Sequence, residues 1–175
     1  MHILRMRDAA YSRRGNAVVA PTTLDLAPGE RMTHRCASGR EAEVIAMMAG
    51  ALARATSGAV TIGEFDPRVQ PVHCKRIAAF VPHDPLPLSQ IDAGRYIAYR
   101  AALWDIALER AQAHARILLE QLRGMHEAFA YPVAGALLTS PQLLVLDRPQ
   151  HAFVETILAA AGSCAVLITQ APDHV

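Results

Sequence analysis

Two short, uninterrupted apolar runs near the C-terminus constrain the fold of this chain more than any other feature. Residues 143–146 read Leu-Leu-Val-Leu and are followed by Asp147, and residues 165–168 read Ala-Val-Leu-Ile. Four-residue runs without polar alternation are typical of strands that are buried on both faces, as in a parallel sheet. Helix-like stretches alternate with strand-like stretches along the chain, so the pattern predicts an α/β layered fold.

The rest of the sequence predicts further strands and helices. Two β-rich stretches flank the turn-forming Arg14-Gly15-Asn16 and predict a hairpin. The predicted strands are residues 2–7, 17–26, 59–62 and 77–81. The predicted helices are residues 41–52, two helices within residues 91–122 that are separated near Trp104 and Asp105, and a helix that ends at residues 134–138.

Length and composition limit the class of protein. With 175 residues, of which 52% are hydrophobic, the chain can bury one core, and we expect a single domain over residues 1–175. A formal net charge of +1 gives no broad basic field, so we expect no nucleic-acid partner. The three cysteines are odd in number and widely spaced, which predicts reduced thiols, a cytoplasmic location and no metal site. No stretch reaches the about 20 apolar residues of a spanning helix, so membrane contact is expected only through a partner.

Several segments, taken in chain order, resemble landmarks of the ATP-binding-cassette (ABC) ATPases over nearly the whole chain. They are residues 24–30, Leu-Asp-Leu-Ala-Pro-Gly-Glu, before the phosphate loop; residues 49–50, 56–63 and 66–67, at the end of the phosphate-loop helix and in the following strand; residues 79–84, before the glutamine loop; residues 136–149, which include the Walker B aspartate; and residues 166–170, before the switch histidine. The resemblance implies a P-loop NTPase-like fold with a central, mostly parallel sheet, an N-terminal antiparallel β part and a small helical subdomain at about residues 89–135.

The same resemblance implies which residues would form a nucleotide site. They are Tyr11 as the aromatic residue that stacks on adenine, Ser38, Gly39 and Arg40 in the phosphate loop, His83 in place of the glutamine, Asp147 as the Walker B carboxylate, and Gln170 in place of the switch histidine. For Tyr11 the alternative is ordinary packing beside a strand. For Asp147 the alternative is a turn residue before Arg148 and Pro149.

The phosphate-loop segment, residues 35–44, has one glycine and no lysine. Lys75 is the only lysine of the chain, so no shift of register can supply that residue. Either Glu41 or Arg40 takes the lysine position, and a carboxylate there would repel phosphate by roughly 3 kcal/mol at about 5 Å. The interpretation that we favour is that Arg40, Glu41 and Glu43 form the solvated first turn of a helix.

Hydrolysis is expected to be weak or lost. Arg148 replaces the catalytic glutamate and has no basic form near neutral pH, while Gln170 cannot carry the charge of an imidazole. We therefore assign no catalytic residue and expect ATP and Mg²⁺ to bind weakly at most. The signature loop, residues 122–126, keeps only Gly124, and Pro132 predicts that the following helix starts late.

Three functions remain open from the sequence. The resemblance implies an ABC transporter ATP-binding subunit that couples to a membrane permease, at the cytoplasmic face of the inner membrane, as a homodimer or as a heterodimer with an intact ABC ATPase. The alternatives are a nucleotide-independent docking or regulatory pseudo-ATPase module, and a decayed copy without function. Leu86, Leu88 and Ile91 are predicted to present a permease-docking surface, or else to cover the core of the domain itself.

Overall fold

The computed structural model describes residues 2–87 and 92–172. In chain order the elements are β1 (Leu4–Arg13), β2 (Asn16–Leu26), β3 (Arg31–Arg35), α1 (Gly39–Ala49), β4 (Ser57–Ile62), α2 (Pro71–Ile77), β5 (Ala78–Val81), α3 (Ala93–Leu103), α4 (Leu108–Gln121), α5 (Glu127–Leu137), β6 (Leu143–Asp147), a 3-10 turn (His151–Phe153), α6 (Val154–Ala161) and β7 (Ala165–Gln170). None of the helices in these ranges is long and apolar enough to cross a membrane.

A four-stranded parallel sheet with the strand order β3-β7-β6-β5 forms the centre of the fold. The two apolar runs of the sequence are its inner strands, β6 and β7, and Leu143 pairs with Ala165 at their start. Both runs are buried along their whole length. The predicted α/β fold with a parallel sheet is therefore confirmed.

At β6 and β7 the central sheet is buried on both of its faces, which explains why these two strands carry no polar alternation. Leu143 and Val145 point to one hydrophobic cluster, which includes α1 and the second sheet. Leu144 and Leu146 point to the other cluster, which includes residues of α4, α5 and α6.

The second sheet is antiparallel, with the strand order β2-β1-β4, and it confirms the predicted hairpin. Strand β1 is longer than predicted and continues to Arg13. Its pairing with β4 shifts register between Arg7 and Ala10, where Asp8 adopts a positive φ of 46°. Gly58, with a φ of +73°, lies directly against the Asp8 backbone at this bulge.

Helices α3 and α4 confirm the predicted pair within residues 91–122, since α3 ends at Leu103 and α4 begins at Leu108. Asp92 caps α3 by accepting a hydrogen bond from the backbone of Arg95 at 2.9 Å. These helices pack against each other and against α5. The predicted start of a helical subdomain at residue 89 lies outside the described residues, and the domain boundaries stay a prediction.

Several elements differ from the sequence prediction. Strand β3, at the edge of the sheet, and helices α2 and α6 were not predicted, and Ile77 ends α2 instead of starting a strand. Strand β3 cannot be recognised from an apolar pattern, because its residues alternate between exposed and only half-buried.

The prediction that the helix around Pro132 starts late is wrong. Helix α5 begins at Glu127 and contains Pro132 in its interior. A proline cannot donate to the carbonyl four residues earlier, which is that of Ala128. That carbonyl instead accepts a hydrogen bond from the backbone N–H of Leu86 at 2.8 Å, so the acceptor is satisfied from outside the helix.

The close approach at Gly58 gives the first testable prediction. Gly58→Ala should lower the free energy of unfolding by about 3 kcal/mol or more, because a Cβ would overlap the Asp8 carbonyl and the left-handed backbone adds its own cost. Gly15→Ala is the matched control, since Gly15 has a φ of +81° but open space around it. It should cost about 1–2 kcal/mol. Urea unfolding measures both, and equal losses would contradict the steric explanation.

Candidate functional site

The segment that corresponds to a phosphate loop is short and regular. Only residues 36–38 separate β3 from α1. If Gly39 and Arg40 stood for the last glycine and the lysine of the G-x-x-x-x-G-K pattern, the pattern would begin at His34, which is still within β3. No residue from 35 to 41 has a positive φ. The backbone therefore lacks the alternation of right- and left-handed residues that turns successive N–H groups towards a phosphate.

The first turn of α1 is capped by the chain itself. The Ser38 hydroxyl accepts a hydrogen bond from the backbone N–H of Glu41 at 3.1 Å, and the Glu41 carboxylate accepts one from the N–H of Ala37 at 2.6 Å. This resembles a capping box, except that the Glu41 carboxylate binds the N–H of the residue before the N-cap, and it places the Glu41 charge at the positive end of the helix. Arg40 is exposed on the same turn. The geometry agrees with the interpretation of these residues as the first turn of a helix.

Asp147 and Arg148 form a bidentate ion pair at the end of β6. The Nε atom of Arg148 lies 2.8 Å from Oδ1 of Asp147, and its Nη2 atom lies 3.0 Å from Oδ2. Asp147 is only 3% exposed. A methyl group added to Gly39 would lie 2.8 Å from the Nη1 atom of Arg148. The guanidinium therefore fills the space between the β6 carboxylate and the N-terminus of α1.

The groups around this ion pair further favour the charged form of the guanidinium, which an arginine already has at neutral pH. Hydrogen bonding to Asp147 raises the pKa of Arg148 above its usual value, and the carboxylates of Asp147, Glu43 and Asp84 add to the rise. Cys36 lies beside the pair, and burial, followed by the charges of Glu41 and Asp147, raises the pKa of its thiol to about 11. The site thus holds one fixed cation among several carboxylates.

Backbone contacts of Arg148 join two further segments to the site. Its N–H donates to the Thr169 carbonyl on β7 at 3.0 Å. The Nδ1 atom of His83 lies 2.9 Å from the Arg148 carbonyl and donates to it. Arg148 itself has a positive φ of 44°, a strained conformation for a non-glycine residue.

Gln170 is connected to the site by its backbone, through a hydrogen bond to the segment before α1. Its carbonyl accepts a hydrogen bond from the N–H of Cys36 at 2.7 Å, and it pairs with Arg35 in the parallel sheet. The structure therefore brings Ser38, Gly39, His83, Asp147 and Gln170 to one edge of the central sheet.

Tyr11 lies elsewhere. It sits in β1 opposite Val19 on the antiparallel sheet, where it is half-buried and packs against the core. No described hydrogen bond links it to the residues around Arg148. The placement agrees with the packing alternative, and a role in adenine binding stays a prediction.

Sequence reasoning missed two features of the site. Thr169 is fully buried, and its hydroxyl lies 3.4 Å from Oδ1 of Asp147, which no sequence pattern indicated. The Ser38-x-x-Glu41 spacing, in contrast, is a readable signal for a capping box. Within the part of the chain that the structure describes, no group of three or more His, Cys, Asp or Glu residues could hold a metal ion.

Comparison with known proteins identifies the fold. No protein-family model matches the sequence, and no curated protein matches it. Solved structures do match. The ATP-binding subunit of an ABC transporter superposes with a TM-score of 0.77 at 17% identity, over 97% of this chain and 79% of that one. A subunit from Clostridium perfringens that is part of an ABC transporter complex gives 0.68 at 12% identity, over 98% and 79%. A dimeric ATP-binding cassette bound to ADP and phosphate gives 0.71 at 14% identity, over 95% and 87%.

These likenesses define the class by architecture: the chain has the fold of an ABC transporter ATP-binding domain. The match confirms the resemblance that the sequence indicated, at the level of the fold. At 12–17% identity the function has to be argued from the site.

The ion pair at the centre of the site gives the second prediction. Arg148→Ala should lower the free energy of unfolding by about 2–4 kcal/mol, because it leaves the buried Asp147 carboxylate without its cation. Asp147→Ala should cost less, since the Arg148 side chain is 25% exposed and can turn to solvent. The double variant should be more stable than the sum of the two losses predicts, by about 1–3 kcal/mol.

The exposed pair Arg123 and Glu120 is the control for this double-mutant cycle, with side chains 77% and 65% exposed. Its coupling should stay below about 0.5 kcal/mol. Strictly additive losses at Asp147 and Arg148 would show that the ion pair does not couple them.

Proposed function

We propose that this chain is an ABC-type pseudo-ATPase: a subunit that keeps the fold in order to dock within a transporter assembly, and that neither binds MgATP tightly nor hydrolyses it. The single observation that carries the proposal is the Arg148–Asp147 ion pair, which occupies the carboxylate that would hold the magnesium shell. This favours the nucleotide-independent module over the energy-coupling subunit.

The residues at the site do not fit MgATP. A magnesium ion would have to displace a bidentate guanidinium from a carboxylate that is almost fully buried. A phosphate at the α1 N-terminus would meet the Glu41 carboxylate, with a repulsion of roughly 3 kcal/mol at about 5 Å. The position beside Asp147 that should polarise an attacking water carries Arg148, which has no basic form available.

A wide apolar cleft supports the docking part of the proposal. Its volume is about 530 Å³, and it lies between the end of α1, α2, β5 and α3. Four of its lining residues are large hydrophobic side chains that are 47% to 61% exposed, namely Leu52, Val72, Tyr99 and Leu103. The only charged residues among those that line it in the described structure are Lys75 and Arg100. Exposed apolar side chains grouped in this way are typical of a protein-binding surface.

The partner that fits this cleft is a short amphipathic helix with an apolar face and a carboxylate, as a cytoplasmic segment of a membrane permease could supply. The neighbour from Clostridium perfringens is itself part of an ABC transporter complex. Leu86 is half-buried and lines an adjacent cleft that shares Phe80 and Arg100. Leu88 and Ile91, which the sequence analysis placed on the docking surface, lie outside the described residues.

A heterodimer with an intact ABC ATPase is the assembly that the proposal favours over a homodimer. One neighbour forms a dimer with ADP and phosphate bound. Since this chain has no lysine in its phosphate-loop segment and has Arg148 beside Asp147, any hydrolysis in such a pair would depend on the phosphate loop and carboxylates of the partner. The location that follows is the cytoplasmic face of the inner membrane, through the permease.

Nucleotide assays test the first half of the proposal. Phosphate release from MgATP should equal a buffer control, and millimolar MgATP should shift the melting temperature by less than about 1 °C, because ligand stabilisation needs concentrations well above Kd. Asp147→Ala should leave both results unchanged. A shift of several degrees that disappears in Tyr11→Ala would show a working adenine site and would refute the proposal.

Substitutions in the cleft test the second half. Val72→Asp and Leu103→Asp should abolish co-purification with a multi-span membrane protein encoded by a neighbouring reading frame, and should leave the melting curve unchanged because both side chains are mostly exposed. Ile117→Asp is the matched control, since Ile117 is 60% exposed on α4 and does not line the cleft. Retention of the complex by both cleft variants would contradict docking at this surface.

A further inference from the structure

Residues 82–87, which follow β5, are held at two points that lie on different parts of the molecule. Near the start, the His83 ring donates to the Arg148 carbonyl beyond β6 at 2.9 Å. Near the end, the Leu86 N–H donates to the Ala128 carbonyl in α5 at 2.8 Å. The segment is largely exposed, and three of its six residues are proline, so only His83, Asp84 and Leu86 have a backbone N–H.

The second contact depends on a defect in α5. Pro132 removes the helical donor for the Ala128 carbonyl, because a proline has no backbone N–H. The oxygen left without a helical donor is the one that Leu86 reaches. A proline that weakens its own helix therefore creates the acceptor for a segment some forty residues earlier in the chain.

We propose that residues 82–87 are a constitutive strap, which fixes α5 to the Arg148–Asp147 ion pair in one arrangement without any ligand, and that Pro132 supplies its anchoring carbonyl. The path runs from Asp147 through Arg148 and His83 to Leu86, and each step is a hydrogen bond or a covalent segment stiffened by proline. The proposal deepens the proposed function and rests on it for the claim that nucleotide does not move these residues.

The strap also fixes one wall of the docking cleft. Arg100 on α3 donates from Nε to the Gly135 carbonyl on α5 at 3.2 Å, so the position of α3 is tied to that of α5. Arg100 and Phe80 line both the docking cleft and the neighbouring cleft that contains Leu86 and Pro132. A partner would therefore meet a preformed surface, with no ordering step linked to ATP.

Amide hydrogen exchange of Leu86, followed by NMR on the full chain without nucleotide, tests the strap. Leu86 has the only exchangeable amide among residues 85–87, so its signal is unambiguous. It should exchange at least roughly tenfold more slowly than an exposed amide, as one hydrogen bond implies. Exchange at the rate of an unprotected amide would overturn the proposal.

Two variants separate the parts of the strap. Pro132→Ala returns the helical donor to the Ala128 carbonyl, so Leu86 exchange should accelerate roughly tenfold while a β6 core amide such as that of Val145 does not accelerate. Pro141→Ala, a buried proline outside any helix, is the control and should change neither amide. His83→Ala should accelerate Leu86 exchange several-fold. No acceleration in Pro132→Ala would overturn the role of Pro132, and none in His83→Ala would overturn the claim that the two contacts act on one strap.

Repeating the exchange with millimolar MgATP distinguishes the two proposals. An unchanged rate at Leu86 supports both. A changed rate, with Leu86 protected in the absence of nucleotide, would overturn the nucleotide-independent function while leaving the strap in place. An unprotected Leu86 without nucleotide would overturn the strap alone.

Discussion

The ion pair between Asp147 and Arg148 is the interaction on which the arrangement of the site depends. A carboxylate that is almost fully buried at the end of a parallel strand requires a cation, because leaving it charged and unpaired would cost several kcal/mol. Here the next residue in the chain supplies that cation. To do so, Arg148 adopts a left-handed backbone, and its carbonyl and N–H are then positioned to bind His83 and Thr169. A local electrostatic requirement thus fixes the relation of β6, β7 and the strap.

Most of the buried apolar surface that stabilises the fold lies away from the site. Strands β6 and β7 are buried on both faces, and the two hydrophobic clusters on either side contain the helices and the antiparallel sheet. Two of the segments that resemble the ABC family, residues 24–30 and 56–63, belong to strands and turns of this framework. The positions that depart from the pattern of the resemblance, among them Glu41 and Arg148, lie at the N-terminus of α1 and beside the Asp147 carboxylate. The residues that form the core are therefore a different set from those at the site.

The sequence predicts the framework well and the site only in part, for a physical reason. A buried strand has consecutive apolar residues, so β6 and β7 can be recognised from the local sequence. The edge strand β3 is half-exposed and has no such apolar pattern. Pro132 predicted a late start of helix α5. That prediction failed because the hydrogen bond that compensates for Pro132 comes from Leu86, which is far away in the chain. The sequence predicts from single positions that catalytic groups are absent, but the guanidinium between Asp147 and the N-terminus of α1 is visible only in three dimensions.

The charged residues at the site are coupled, so the proposed function implies that no single substitution would create a nucleotide site. Arg148→Glu would place a second carboxylate beside Asp147 and would remove the cation that pairs with it. A lysine at position 41 would remove the capping carboxylate from Ala37, yet residues 36–38 would still be too few to form a phosphate nest. Lengthening the loop alone would leave the Glu41 carboxylate at the N-terminus of α1. Single substitutions of this kind leave an unpaired charge or an unsatisfied donor, because the charges at the site are paired with each other.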